Sequence, residues 1–256
     1  MPTPSTLPAT YIVLPTYNEI GNLEAMTGRI LEVLPDARIV VVDDNSPDGT
    51  GDVADRLARA NPQIEVLHRT GKEGLGVAYR TAFRELLSRA DCDTVIQMDC
   101  DFSHDPSDLP RLLARLEDGA DLAIGSRYVR GGSTPGWGLR RRLISRAGSI
   151  FARAVLLLPY RDLTGGFKAW RRSLLQRIDL DTGYANGYGF QIEMTWLAHR
   201  LGARVDEVPI SFRDRVVGQS KMTGKIIREA LTMVLMLRWQ AILAPIQGAP
   251  DPAKAP

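Results

Sequence analysis

Between residue 11 and about residue 126, short runs rich in Ile and Val alternate with longer amphipathic stretches. This alternation limits the folds open to the chain. Residues 11–14, 38–42, 64–67, 94–98 and 121–124 read as strands, and residues 20–34, 51–60, 74–89 and 107–118 read as the helices between them. Strands apolar on both sides, each followed by a helix, predict an α/β fold with a mostly parallel sheet covered on both faces. In such sheets ligands sit beyond the carboxyl ends of the strands. The polar motifs of this first half fall at those ends.

Beyond residue 130 the pattern changes. Residues 131–138, Gly-Gly-Ser-Thr-Pro-Gly-Trp-Gly, carry the signals of a loop. An arginine-rich helix, a loop at 162–167, a helix near 190–200, an extended piece at 204–212 and a last helix from about residue 225 follow. The Pro-rich ends, residues 1–9 and 244–256, read as disordered. One domain over residues 10–243 is expected, with no internal repeat.

Composition excludes several classes. Hydrophobic residues at 44% and charged residues at 24% fit a soluble globular chain. A net charge of +2, without aromatics interleaved along a basic stripe, excludes a nucleic-acid binder. Cys92 and Cys100 make neither a disulfide framework nor a zinc spacing, which points to a reducing, cytosolic setting. No basic-then-apolar leader opens the sequence, and no stretch reaches the roughly 18–20 apolar residues that span a bilayer. A membrane encounter would therefore be peripheral.

The strand-end motifs carry the chemistry. Asp99-Cys100-Asp101 follows an apolar strand. In an extended segment residues i and i+2 point the same way, so both carboxylates can face one cation. Paired hard oxygens suit Mg²⁺ or Mn²⁺, with water and substrate phosphate completing the shell. Asp-x-Asp is also common in solvated turns, and His104 nearby reads as an exposed turn residue. Asp43-Asp44-Asn45-Ser46-Pro47-Asp48-Gly49-Thr50 ends the second strand. Turn and cap chemistry explains most of it, but not two consecutive aspartates, one of which can bond a ribose or a base edge. At Pro15-Thr16-Tyr17-Asn18-Glu19, Pro15 stops the strand and Asn18 caps the helix, while Tyr17 can stack on a base that Glu19 hydrogen-bonds. Gly71-Lys72-Glu73-Gly74-Leu75-Gly76 precedes a helix whose amino end favours anions. Neither a Walker motif nor a dinucleotide fingerprint is present.

Arg127 sits at the same rim, and Arg140, Arg141, Arg142, Arg146 and Arg153 punctuate an apolar helix. That helix either lies in a headgroup layer or packs on the core with a solvated basic face. The final helix carries a stripe of Ile, Val and Leu widened by Met233, Met236 and Trp239, and docking on the core is the simpler reading. Arg213, Arg215 and Lys221 bracket Gly218-Gln219-Ser220, a loop suited to folding over an anion.

In this order the motifs resemble the polyprenol- and dolichol-phosphate mannose synthases, inverting family 2 glycosyltransferases with the Rossmann-like GT-A fold. The ordered set adds Gly-Ser-Arg-Tyr at 125–128, Asp-Leu-Thr-Gly-Gly-Phe at 162–167, Gly-Tyr-Gly-Phe-Gln-Ile-Glu at 187–193 and the Gly-Gln-Ser-Lys ending at Lys221. The resemblance implies transfer of mannose from GDP-mannose to a polyprenyl or dolichyl monophosphate at the cytoplasmic face of a membrane, leaving any anchoring partner subunit open. It implies that Pro15, Tyr17, Glu19, Val42 and Asp44 hold the guanosine, and that the Cys100 backbone lies near the nucleotide. Asp99 and Asp101 would hold the metal. Arg127, Arg215 and Lys221 would meet donor and acceptor phosphates, and Arg140 and Ser145 would join Arg127 at the acceptor. Position 100 is usually Ala in the family, and position 103 often a Gln completing the metal site; Ser103 reaches less far. The competing expectations are a related enzyme using a UDP-sugar and a non-catalytic nucleotide-binding module.

Overall fold

The computed structural model describes residues 9–181, 187, 189–214 and 224–243. Its strands are β1 (Ala9–Thr16), β2 (Arg38–Asp43), β3 (Ile64–His68), β4 (Cys92–Gln97), β5 (Leu122–Ser126), β6 (Lys168–Arg171) and β7 (Val205–Pro209). They form one sheet in the order β3-β2-β1-β4-β6-β5-β7, parallel throughout except for β6. Because β6 runs backwards, its amino end shares a rim with the carboxyl ends of the others. The 162–167 loop is thereby delivered to the motif edge.

The period of two explains why the strands are apolar throughout. Tyr11 and Val13 of β1, with Val40 and Val42 of β2, enter one core layer. Their neighbours Ile12, Leu14, Ile39 and Val41 enter the other. The first layer is covered by α3 (Leu75–Ser88), α5 (Leu139–Leu156), α6 (Arg172–Leu175), α7 (Gly189–Arg200) and α8 (Gly224–Leu243). The second is covered by α1 (Leu23–Val33), α2 (Thr50–Ala60) and α4 (Leu109–Glu117). Truncating a fully buried ring such as Phe83 should cost about 3–5 kcal/mol.

Four expectations need correction. Helix α1 begins at Leu23, not at residue 20, and Asn22 rather than Asn18 precedes it. Asn18 instead adopts a left-handed conformation in the loop, with φ of 61°. Strand β4 ends at Gln97, so Asp99 and Asp101 occupy the turn beyond it rather than an extended strand. Strand β6 was not expected at all: it is four residues long and begins and ends with Lys168 and Arg171, which interrupt any apolar signal. Finally, β1 starts at Ala9, inside the segment read as a disordered tail. Residues 1–8 and 244–256 lie outside the described residues.

Candidate active site

The loops after β1 and β2 lock each other. Backbone N–H groups of Asn18, Glu19 and Ile20 donate to Ser46 Oγ, Thr50 Oγ1 and Asp48 Oδ2 at 3.1, 2.9 and 3.2 Å. Burial raises the Asp48 carboxyl, but bonds from Thr50 and Ile20 outweigh it and hold Asp48 below its ordinary value. Within this frame the consecutive aspartates divide their roles. Asp43 accepts from Thr16 Oγ1 at 3.0 Å and from Ser46 N–H and Oγ at 3.0 and 2.6 Å, and so knits the loops together. Asp44 pairs with Arg69, a residue that motif reading passed over. Burial holds the Asp44 carboxyl above its ordinary value, against the pull of Arg69. Glu19 accepts from Asn22 Nδ2 at 2.8 Å, and Lys72 Nζ lies 3.9 Å from the centre of the Tyr17 ring. The Val42 side chain is in the core, so only its main chain is offered to a ligand; Pro15, its partner in the register, is half-buried.

At the end of β4, Asp101 is buried and accepts from Ser103 N–H at 3.0 Å, which fixes a tight turn with Phe102 at φ 59°. The Asp99 side chain keeps 31% of its surface exposed. Burial first, then the charges of Asp99 and Asp101, hold the Tyr79 hydroxyl well above its ordinary value, and burial, then Glu19 and the same two carboxylates, do so for the Cys100 thiol. Cys100 is therefore a core neighbour, not a nucleophile. His104 is the clear correction: it is buried, stacked on Phe167 at 4.9 Å and edge-on to Phe212 at 5.2 Å. Its Nδ1 accepts the Asp99 N–H at 3.1 Å, so Nε2 carries the proton and the ring holds the Asp99–Asp101 turn in shape. Burial pushes this imidazole down to about 4.

Two carboxylates, one of them accessible, fit a hard divalent cation that keeps water and phosphate as its other ligands. Among the described residues no group of three or more His, Cys, Asp or Glu forms a self-sufficient metal cage.

Opposite, Arg127 is 7% exposed and closed onto Asp162, with Nη2 also reaching Thr164 Oγ1 at 2.8 Å. Its guanidinium stacks near Tyr128, Trp137 and Phe212 at 5.2, 5.6 and 5.3 Å. It reaches the rim as expected, but its charge is already paired. Glu207 of β7 accepts the N–H groups of Arg161 and Asp162 at 2.8 and 3.0 Å and anchors this loop. Ser145 is buried and accepts from the Tyr128 hydroxyl at 2.7 Å, whereas Arg140 is exposed. Lys168 is fully buried, donating to the Gln191 carbonyl at 2.6 Å and to Thr195 Oγ1 at 2.9 Å. Arg215 and Lys221 lie outside the described residues.

Helix α5 reverses the usual amphipathic order. Its buried stripe is Ser145, Ser149, Ala152 and Leu156, while Leu139, Leu143, Ile144 and Ile150 are exposed, Leu139 to 73%. Helix α8, packed against α5, docks through Met233, Val234 and Leu237 but exposes Leu235, Met236, Trp239 and Ile242. No helix among the described residues is long and apolar enough to cross a membrane.

The family model described as glycosyl transferase family 2 matches residues 11–179. The chain is 48% identical to an undecaprenyl-phosphate mannosyltransferase of Micrococcus luteus, over 91% of this chain and 96% of that one. It is 47% identical to a polyprenol monophosphomannose synthase of Mycolicibacterium smegmatis, over 88% and 85%. Among solved structures, the glucosyl-3-phosphoglycerate synthase of Mycobacterium tuberculosis in complex with Mn²⁺ and UDP-glucose superposes with a TM-score of 0.64 at 22% identity. That match covers 90% of this chain and 78% of the other, and it establishes the GT-A fold. The chain is a glycosyltransferase and belongs to family 2, among the polyprenol- and dolichol-phosphate mannose synthases.

Proposed function

We propose that the protein transfers mannose from GDP-mannose to a polyprenyl or dolichyl monophosphate with inversion, releasing GDP. The observation that carries this reading is the adjacency of two unlike surfaces. The Asp99 carboxylate borders the 162–167 loop, lying 3.7 Å from where a Cβ of Gly166 would sit, and that loop is tied to α5, whose outward face is apolar and basic. A polar donor and a lipid-borne acceptor phosphate need this pairing. The names of the relatives, mannosyltransferases of undecaprenyl and polyprenol phosphates, support the same substrates.

In this reading Pro15, Tyr17, Glu19, Val42 and Asp44 line the nucleoside pocket, and Arg69 sets the orientation of Asp44. Asp99 and Asp101, with Ser103 beside them, hold Mg²⁺ or Mn²⁺, which when bound supplies positive charge to the leaving diphosphate. The acceptor monophosphate, with a second ionisation near pH ~6, is already a nucleophile at neutral pH. The protein therefore needs no general base; it aligns the phosphate with the anomeric carbon and offsets charge. Arg140 is one of the exposed cations on that side. Arg127 and Ser145 shape the acceptor site from beneath, and Arg215 and Lys221 are assigned to the phosphates from sequence. The exposed Leu, Ile, Met and Trp side chains of α5 and α8, ringed by Arg142 and Arg146, seat the protein peripherally in the headgroup layer.

The test is donor choice and stereochemistry. With Mn²⁺ and a short polyprenyl phosphate, turnover of GDP-mannose should exceed that of UDP-glucose by at least about a hundredfold. NMR of the product should show the β anomer. Preference for a UDP-sugar, or an α product, contradicts the reading.

A further inference from the structure

Gln191 stands in the first turn of α7, inside the 187–193 motif, with no chemical task assigned above. Its main chain is pinned: the carbonyl accepts from Lys168 Nζ at 2.6 Å and from Thr195 Oγ1 at 2.9 Å. Its side chain is 1% exposed, yet neither Oε1 nor Nε2 has a hydrogen-bond partner among the described residues. Burying an amide without partners is costly, so a group from outside the chain that satisfied both of its ends would be favoured there.

The amide's direction is set by its neighbours. A Cβ at Gly166 would lie 3.3 Å from Gln191 Nε2 and 3.7 Å from both Asp99 Oδ1 and His104 Cε1. The amide and the Asp99 carboxylate therefore border the same spot beside Gly166, where a side chain would crowd the amide. An amide presents N–H donors and a carbonyl acceptor together. An ionised phosphate offers only acceptors and would leave Oε1 orphaned. Sugar hydroxyls both donate and accept, and satisfy both ends.

We propose that Gln191 reads hydroxyl groups of the transferred hexose, with Lys168 as the positioning residue that fixes its main chain. The inference rests on the reading above that a nucleotide sugar lies with its diphosphate at Asp99 and Asp101. It adds which protein group distinguishes one hexose from another.

The experiment is calorimetric titration of the full chain, wild type and Gln191→Leu, with GDP and GDP-mannose in Mn²⁺, followed by turnover of GDP-mannose against its C2 epimer GDP-glucose. The variant should bind GDP within about twofold of wild type, lose about tenfold or more on GDP-mannose, and discriminate the two sugars about tenfold less well. Gln191→Glu, near-isosteric but lacking the donor, should show a smaller loss in the same direction and serves if the Leu variant misfolds. Unchanged GDP-mannose affinity and unchanged discrimination would overturn the proposal. So would a rise confined to the KM for polyprenyl phosphate, which would assign Gln191 to the acceptor. Should wild type prefer UDP-glucose, the donor reading fails alone, and the UDP against UDP-glucose comparison then decides Gln191. Wild type binding neither nucleotide sugar would overturn both.

Discussion

Arg127 and Asp162 face each other through two parallel hydrogen bonds of 2.7 Å, Nε to Oδ2 and Nη2 to Oδ1, and the Arg127 backbone N–H adds a third at 2.9 Å. This fork joins the end of β5 to the loop preceding β6, and Glu207 grips that loop from β7. The pair is fully desolvated, so its partners depend on each other far more than a surface pair would.

Removing one partner should therefore unfold more than it disarms. Asp162→Ala leaves a buried guanidinium uncompensated and should cost about 3–5 kcal/mol in chemical denaturation. Arg127→Lys, which keeps the charge without the fork, should lose less. A near-wild-type denaturation midpoint for Asp162→Ala would show that the pair holds nothing together.

The metal assignment makes a different demand. Asp101→Asn keeps an oxygen to accept the Ser103 N–H, so the turn should survive. Turnover should nevertheless fall by about two to three orders of magnitude at saturating Mg²⁺ or Mn²⁺. Steady-state kinetics with a thermal melt on the same preparation separates the two. Near-normal turnover would remove the carboxylate from the metal site.

Lys168 predicts a pH dependence. Burial pushes its ammonium down to about 7, against the raising pull of Asp162. Between about pH 7 and the ordinary lysine value the unfolded chain carries a proton that the folded protein has lost, so stability rises with pH across that window. Below about pH 7 both states are protonated and the cost of burial is fully felt. Relative to Lys168→Met, the wild type should gain stability as pH is raised from 7 to 10, with a slope approaching 1.4 kcal/mol per unit. Parallel stability curves for the two proteins would contradict this.

The outward face of α5 and α8 should be a membrane contact. Leu143→Asp combined with Trp239→Asp alters only exposed side chains. Flotation with anionic vesicles at low salt should fall several-fold while the melting temperature holds. A wild-type protein that stays at the bottom of the gradient would remove the membrane from the account.

The sheet was legible because strands covered on both faces must be apolar at every position, and Tyr11–Leu14 and Ile39–Val42 are. Strand β6 was not, since a buried lysine looks the same as a solvated one until Gln191 and Thr195 are seen around it. His104 was misplaced for a related reason. A histidine in an Asp- and Ser-rich turn looks solvated, and only the fold brings Phe167 and Phe212 onto its ring. Of the consecutive aspartates, residue spacing alone could not say that Asp43 is a strut bonded to Thr16 and Ser46 while Asp44 pairs with Arg69, because Thr16 and Arg69 come from other segments. Spacing left the surroundings of α5 ambiguous. Its small Ser145–Ser149–Ala152 stripe packs inward only because Tyr128 and Thr164 supply partners for the hydroxyls.

The most direct test of the whole account is transfer of label into lipid. The full chain is incubated with radiolabelled GDP-mannose, Mn²⁺ and a mixture of polyprenyl phosphates, and the organic phase is extracted and counted. The account predicts acid-labile mannosyl lipid that appears with the wild type, depends on both metal and prenyl phosphate, and falls about a hundredfold or more with Asp101→Asn. Label that stays in the aqueous phase with every prenyl phosphate supplied would contradict it.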